Sequence, residues 1–481
     1  MSALASPVPS EPRPSAARLS IRTATLKRAV LWTFLFCGAS AAIEPSPYEF
    51  MFVVAALALG PSDLAFDRAM IPLIVGLAAF NAGGLLSLTP FVDVGRSVSF
   101  TATSVYMAAT AIFFAALVAK DPIERLRTIR NGYLAGGVFA ATLGILGYFN
   151  VAGLSEHFTI YDGSRASGPF KDANVFGPFL VVPIVWLTQD LLLKRGAGFL
   201  RTAAPLGLMI LGVLLSFSRG AWGGFVASTA LMIALTFLTT SSAALRRRIV
   251  AVSLIGVAGV LVLLAVALSI PEIRAVFLER ASLVQDYDAG EMGRFGNQLR
   301  SLPLLLERPF GFGPLQFRYI FPEDPHEMYV NAFASYGWLG GLSFIAFTTT
   351  TLYVGWRLVF VRSPFRDAAI PIWACLFVQM LPGFQIDTDH WRHLYFLFGA
   401  LYGLAAAERR GRGRAGLRAQ SAGSNASAAP IASPAPTTSA PPCSRWPTPR
   451  ASRSARATAI SATAMRASAI GGPSAPIADA P

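Results

Sequence analysis

The chain has 481 residues, 54% of them hydrophobic and only 14% charged. Soluble domains carry about 25% charged residues, so this composition excludes a soluble globular enzyme and indicates a polytopic membrane protein. The net charge of +14 does not mark a nucleic-acid groove: ten arginines after Ala407 stand against only Glu408 and Asp479, and most of the remaining excess lies in short loops between apolar runs. Cys37 and Cys375 sit in apolar segments and Cys443 in the tail, which gives neither a disulfide framework nor metal-ligand spacing.

Residues 1–28, rich in Ser, Pro, Ala and Arg, are expected to form a disordered cytoplasmic N-terminus. Ala29–Ile43 is short for a span, and Gly38–Ala42 has some likeness to a signal-peptidase site. The segment is either a first span or a cleaved signal, and the number of later spans favours the span. Further spans are expected near Tyr48–Gly60, Met70–Leu88, Thr101–Ala119, Gly132–Val151, Asn174–Leu193, Thr202–Phe217, Gly220–Thr240, Ile249–Ile270, Met328–Trp356, Ala368–Phe384 and His393–Ala407. The expected fold is therefore all-α, a polytopic transmembrane helix bundle of about 12 spans with a long external loop before the tenth. The membrane domain would run from 29 to 407, with the long loop at 271–327. Residues 408–481 would be a low-complexity cytoplasmic tail.

Charge orients the bundle. The N-terminus, Lys120–Arg130, Lys194-Arg195, Arg246–Arg248, Arg362–Arg366 and the tail all fall on one side, the cytoplasm by the positive-inside rule. The weak point is Pro61–Ala69, where Asp63 and Asp67 stand against Arg68. On the opposite side lie the loop Ala152–Ala173, a hairpin at Ser218-Arg219, the long loop and Gln385–Arg392. The stretch Thr202–Thr240 is too long for one ~30 Å hydrocarbon core and carries a single formal charge, Arg219, in Ser216-Phe-Ser-Arg-Gly-Ala-Trp222. A lone arginine at the outer interface suggests an anion site, a lipid phosphate above all. The long loop keeps apolar and aromatic residues throughout, which favours a folded or membrane-lying segment over a mere connector.

Most distinctive polar residues share that outer side. The first long outer loop offers Arg165, Lys171 and Asn174, the last near a helix start, where free backbone N–H groups favour anions. The hairpin offers Ser216, Ser218 and Arg219. The long loop offers Arg294 in Gly293-Arg-Phe-Gly296, then Pro309-Phe-Gly-Phe-Gly-Pro314 and Pro325-His-Glu-Met-Tyr-Val-Asn331, followed in the next span by Tyr336-Gly-Trp-Leu-Gly-Gly341.

The order Ser-x-Ser-Arg-Gly, long outer loop, His with an aromatic/Asn segment, and Tyr-Gly-x-Leu-Gly-Gly resembles the O-antigen ligase/polymerase-like family of bacterial membrane glycosyltransferases. The likeness runs from about residue 70 to 405. It implies metal-independent, inverting transfer of a glycan from a polyprenyl-diphosphate carrier to a saccharide or lipid-saccharide acceptor. The reaction would take place at the outer, periplasmic face of the bacterial inner membrane, without a cofactor. It maps the essential arginines to Arg219 and Arg294 and the essential histidine to His326; Arg165, Lys171, Asn174 and Ser218 are the substrate contacts expected from the outer loop and hairpin themselves. Glu327 departs from the family pattern, in which Asn commonly follows the histidine.

The chemistry is consistent with those residue types. A glycosyl diphosphate already has a good leaving group, so it needs charge stabilisation, which a bidentate, always-protonated guanidinium supplies. The acceptor hydroxyl needs a base, and a near-neutral histidine suits. Each residue also has a plain structural reading: Arg219 snorkelling to headgroups, Arg294 in a loop ion pair with Asp286, Asp288 or Glu291, and Asn174 and Ser218 as a cap and a turn. Asp387-Thr-Asp-His390 resembles a metal-binding Asp-x-Asp, but its outer placement favours a polar contact or structural loop, with His390 and His393 as interfacial anchors. The alternative function is a multi-span polysaccharide or lipid transporter or flippase. That would place charged or broken-helix sites near the bilayer midplane, where this sequence is almost free of charge. A non-catalytic export subunit would need no arginine pair with a histidine.

Overall fold

The computed structural model describes residues 14–43, 45–194, 198–281, 294–321, 325 and 327–427. In chain order these form α1 (Pro14–Cys37), α2 (Pro47–Leu59), α3 (Ile71–Leu88), α4 (Gly95–Lys120), α5 (Pro122–Tyr148) and the single turn α6 (Ser155–Phe158). A two-stranded antiparallel hairpin, β1 (Thr159–Ile160) with β2 (Arg165–Ala166), leads to α7 (Ala173–Leu193), α8 (Phe199–Leu215), α9 (Arg219–Thr239) and α10 (Ala243–Leu268). Then follow α11 (Pro271–Ala281), α12 (Arg294–Leu306), α13 (Met328–Phe360), α14 (Arg366–Met380) and α15 (Arg392–Ser427). Contacts divide the chain at Ala422, and of the second unit only the last turns of α15 are described.

The fold is an all-α polytopic bundle, as the composition predicts. Among the described residues seven helices are long and apolar enough to cross a membrane, and two shorter apolar helices are Pro47–Leu59 and Phe199–Leu215. The chain punctuates itself by capping: side chains of Ser46, Asp121, Asp172, Ser218, Ser242 and Glu327 accept hydrogen bonds from first-turn N–H groups of the helices they precede. Some boundaries differ from the sequence expectation. Helix α1 begins at Pro14 rather than Ala29, because no Gly or Pro interrupts the chain between Pro14 and Cys37. Helix α15 runs on past Ala407 to Ser427. Helix α4 begins at Gly95 rather than Thr101, which adds Arg96 and Phe100 to its outer end. The long loop carries two helices, α11 and α12, as a folded segment would.

The ambiguous Pro61–Ala69 link belongs with the basic loops. Asp63 receives Lys27 at 2.6 Å and Arg125 at 2.5 Å, and Asp67 receives Arg409 at 3.2 Å. Burial pushes the Asp63 carboxyl up, but the two cations more than offset it and hold it below its ordinary value. Arg130 and Lys194 share Asp190, and Arg366 donates to the α9 carbonyl of Thr239 at 3.5 Å. One end of the bundle is thus closed by ion pairs among α1, α5, α7, α15 and the α2–α3 link.

The opposite end is organised by a break in α13. Gly337 has φ 67° and ψ −169°, a conformation open essentially to glycine alone. The segment 309–313 inserts there: Phe312 N and Gly313 N donate to Ala334 O at 2.7 and 3.1 Å, and Trp338 N donates to Pro309 O at 2.8 Å. The Trp338 indole donates to Leu305 O at 2.8 Å. Below the break α13 lies directly on α3, where Phe80 stacks on Tyr336 at 4.3 Å and a Cβ on Gly83 would meet Gly340 N at 2.5 Å. The inserted segment is also pinned by Ser87 Oγ donating to Phe310 O and Ser97 Oγ to Pro314 O, both at 2.7 Å. A separate small core of Leu305, Phe312, Phe317, Phe321 and Ala334 fills the space beneath it.

A Cβ at position 337 would meet Pro309 O at 2.5 Å and Phe310 backbone at 2.9 Å, in a conformation L residues avoid. Gly337→Ala is therefore expected to destabilise the protein by roughly 2–4 kcal/mol, read as a lowered midpoint in thermal unfolding of the detergent-solubilised chain.

Candidate functional site

At the end away from the ion-paired loops, the first polar constellation is a corner where α7, α8 and α9 meet. Helix α8 ends in a tight turn through Phe217, buried and held at φ 47°. Ser216 Oγ donates to Val213 O at 2.7 Å and accepts from Ser218 N at 3.3 Å, while Ser218 Oγ caps α9 by accepting from Ala221 N at 3.4 Å. The Trp222 indole bonds back to Val213 O at 3.1 Å. This chain of side-chain-to-backbone bonds fixes the turn that places Arg219, half-buried, at the first position of α9.

Arg165 is buried and acts as the clamp of this corner. Its Nε donates to Ser216 O and its Nη2 to Asn174 Oδ1, each at 2.9 Å. Asn174 in turn donates its backbone N–H to Asp172 Oδ1 at 2.8 Å, so Asp172 rather than Asn174 caps α7. The structure thus brings Arg165, Asn174, Ser218 and Arg219 into one corner. Lys171 is exposed beside it. His326 and the side chain of Arg294 lie outside the described residues; the Arg294 backbone opens α12. Glu327 is buried and caps α13 through Tyr329 N at 3.2 Å and Val330 N. Burial raises its carboxyl pKa, and those backbone bonds pull the other way.

The second feature is a cavity of about 740 Å³ whose described lining includes none of Arg165, Lys171, Asn174, Ser218 and Arg219. One wall is the outer end of α4, with Arg96, Ser99, Phe100, Thr103 and Tyr106. Asn331 of α13 and Leu315 and Phe317 of the inserted segment form another, and the loop after α14 supplies Asp387, Asp389 and His390. Helical spacing from Arg96 to Tyr106 places these α4 side chains on one face. That signal was present in the sequence but hidden by starting the helix six residues late.

Two ion pairs stand among the charged groups of the cavity wall, Glu49–Arg392 and Asp389–His390. Arg392 grips Glu49 through Nε and Nη2 at 2.8 and 2.7 Å. Buried Asp389 accepts from Asn331 Nδ2 at 3.3 Å and lies 3.2 Å from His390 Nδ1, an ion pair rather than an aligned hydrogen bond. His390 Nε2 is 3.2 Å from Phe100 O, and the two rings lie 4.0 Å apart. Burial pulls the imidazole pKa down, yet Asp389, the Phe100 carbonyl and Asp387 together hold it above its ordinary value. The 385–392 loop separates the two features: Ile386 and Trp391 face a narrow crevice with Asn174, Ser218 and Gly220, while Asp387, Asp389, His390 and Arg392 face the cavity. Among the described residues no group of three or more His, Cys, Asp or Glu is placed to hold a metal ion.

Residues 204–345, from α8 into the lower half of α13, match the family model described as O-antigen ligase. No curated protein matches the chain.

Two outcomes follow from this geometry. Arg165→Ala removes two charge-assisted bonds and leaves buried acceptors unpaired, so it is expected to cost roughly 2–4 kcal/mol of stability, whereas Lys171→Ala leaves the unfolding midpoint unchanged. The His390 pair stabilises fully below its unfolded value of about 6.5 and loses that contribution as pH rises through the raised folded value. Unfolding midpoints measured across pH should fall less steeply on the alkaline side in His390→Gln than in the wild type.

Proposed function

We propose, taking as premise that the chain is of the O-antigen ligase/polymerase-like family and carries that domain at 204–345, that it transfers a glycan from a polyprenyl-diphosphate carrier to a saccharide acceptor in surface polysaccharide synthesis. The transfer occurs at the periplasmic face of the bacterial inner membrane. The observation that carries this reading is the family match on a segment that includes the Ser218-capped turn presenting Arg219. That turn sits at the end of the bundle remote from the basic loops, on the same side as the inserted segment and the cavity.

In this reading the acceptor hydroxyl attacks the anomeric carbon from the face opposite the diphosphate. The new C–O bond forms as the bond to the diphosphate oxygen breaks, so the configuration inverts. His326 takes the hydroxyl proton, and the carrier leaves as the polyprenyl diphosphate. Arg219 and Arg294 stabilise the negative charge that grows on the departing phosphate, an interaction worth several kcal/mol when it is stronger in the transition state than in the ground state. Ser218 and Asn174 line the crevice beside Arg219, and Lys171 is taken as a further contact to the substrate. Arg165 serves by holding the corner in place. No step needs a metal ion.

The transporter alternative gains one point and loses it again. A broken helix is a device transporters use to bind substrate at the midplane. Here the break in α13 is filled by the protein's own 309–313 backbone, so its freed groups are already satisfied.

Complementation of a deletion strain with Arg219→Ala and His326→Ala, at matched protein levels, tests the proposal. Both variants should lose polymer or its attachment while lipid-linked precursor accumulates, with transfer reduced at least ~10²-fold. Wild-type surface polysaccharide from both variants would remove the site and the reading with it. The stranded species, single repeats or long chains, distinguishes polymerase from ligase.

A further inference from the structure

The 740 Å³ cavity has a size suited to a short oligosaccharide, and its described lining is distinct from the corner that holds Arg165, Asn174, Ser218 and Arg219. Its α4 wall lies wholly outside the matched segment 204–345. Phe100 and Phe317 offer apolar ring faces, while Ser99, Thr103, Asn331 and Asp387 offer polar groups between them. Alternating apolar faces with planar or hydroxyl hydrogen-bonding groups matches a sugar ring, which presents C–H on its faces and hydroxyls at its edge. The Tyr106 hydroxyl is buried without a hydrogen-bond partner among the described residues, and it lines this cavity. A buried hydroxyl left so is a vacancy for a ligand group or water. Arg96, exposed at the mouth, has no ion-pair partner among the described residues.

The same lining argues against the diphosphate. A diphosphate is held by several uncompensated cations. Among the described lining residues Arg392 is already gripped by Glu49 and His390 by Asp389, which leaves Arg96 alone. Arg219 and the crevice lie on the other side of the 385–392 loop, whose Ile386 and Trp391 face one chamber and whose Asp387 and Asp389 face the other.

We propose that this cavity is the subsite for the acceptor saccharide, and that Arg96, Phe100 and Tyr106 of α4 set which acceptor is accepted. This rests on the transfer reading above. Specificity would then be carried by a helix outside the matched domain.

The test uses the full chain in nanodiscs and, as probe, the saccharide that accumulates unextended in cells lacking the gene, released from its lipid by mild acid. Binding is followed by titration calorimetry, and transfer is assayed in parallel with the lipid-linked donor. Arg96→Ala and Tyr106→Phe should each weaken probe binding roughly tenfold and raise the acceptor KM to match. The donor KM should stay at its wild-type value. Tyr106→Phe keeps the ring against Phe52, 5.3 Å away, so unfolding does not obscure the result. Arg219→Ala should bind the probe as wild type does while failing in transfer. Unchanged probe binding in both α4 variants overturns the acceptor assignment, and so does a rise in donor KM. Wild-type transfer by Arg219→Ala and His326→Ala would instead remove the transfer reading, an outcome the binding arm does not mimic.

Discussion

Backbone polar groups inside a membrane protein must find partners within the protein, and the architecture of the outer end follows from how α13 meets that demand. Glycine at 337 breaks the helix and frees carbonyl and N–H groups. The 309–313 segment supplies the replacements, one backbone group at a time. Because that segment is tied by Ser87 and Ser97 to α3 and α4, the repair also fixes the position of the cavity wall. Gly311 of Pro309-Phe-Gly-Phe-Gly-Pro314 and Gly337 of Tyr336-Gly-Trp-Leu-Gly-Gly341 are two halves of one contact. Gly311 shows the same constraint from the other side, since a Cβ there would meet Phe333 O at 2.4 Å.

The two ends of the bundle solve electrostatics differently. At the basic end, acidic residues of the Pro61–Ala69 link gather cations from loops far apart in sequence, with side chains partly open to solvent; each such pair is individually weak, and their value lies in holding the loops together. At the other end Asp389 is buried with His390 beside it, while Arg392–Glu49 is about as open as the basic-end pairs. Leaving one partner of a buried pair alone is expensive, so the Asp389–His390 pair shapes the 385–392 loop more firmly than an exposed pair would.

Much of the fold was legible because a bilayer imposes strong, simple signals. Apolar runs gave the helices, and basic clusters gave the common side of Lys27, Arg125, Arg130 and Lys194. The link at Asp63 was opaque because its meaning depends on Lys27 and Arg125, which no local window includes. Helix ends were less legible still: α1 reaches back to Pro14 because polar residues with adequate helix propensity continue a helix without any apolar signal. At the site, Ser218 and Arg219 stood out by breaking the charge pattern. Arg165 was legible only as a loop cation; its bonds to Ser216 O and Asn174 Oδ1 are set by the tertiary corner. Arg96, Phe100 and Tyr106 went unnoticed because their shared face is defined by what lies opposite, the 385–392 loop and Asn331.

Helix α10 differs from its neighbours in a way that reaches the chemistry indirectly. It has 26 residues, and only Ile249 and Ala267 are buried, so nearly its whole surface is left to lipid. Its apolar stretch after Arg248, Ile249–Leu268, is about 30 Å long at ~1.5 Å per residue, close to a ~30 Å hydrocarbon core, and little protein packing dictates its tilt. Hydrophobic mismatch therefore acts on this element first. Its outer end leads straight into α11, through Ser269 and Ile270, and so into the segment that carries α12. Lipid chain length is thus expected to act on the chain first through α10 and the α11 that follows it.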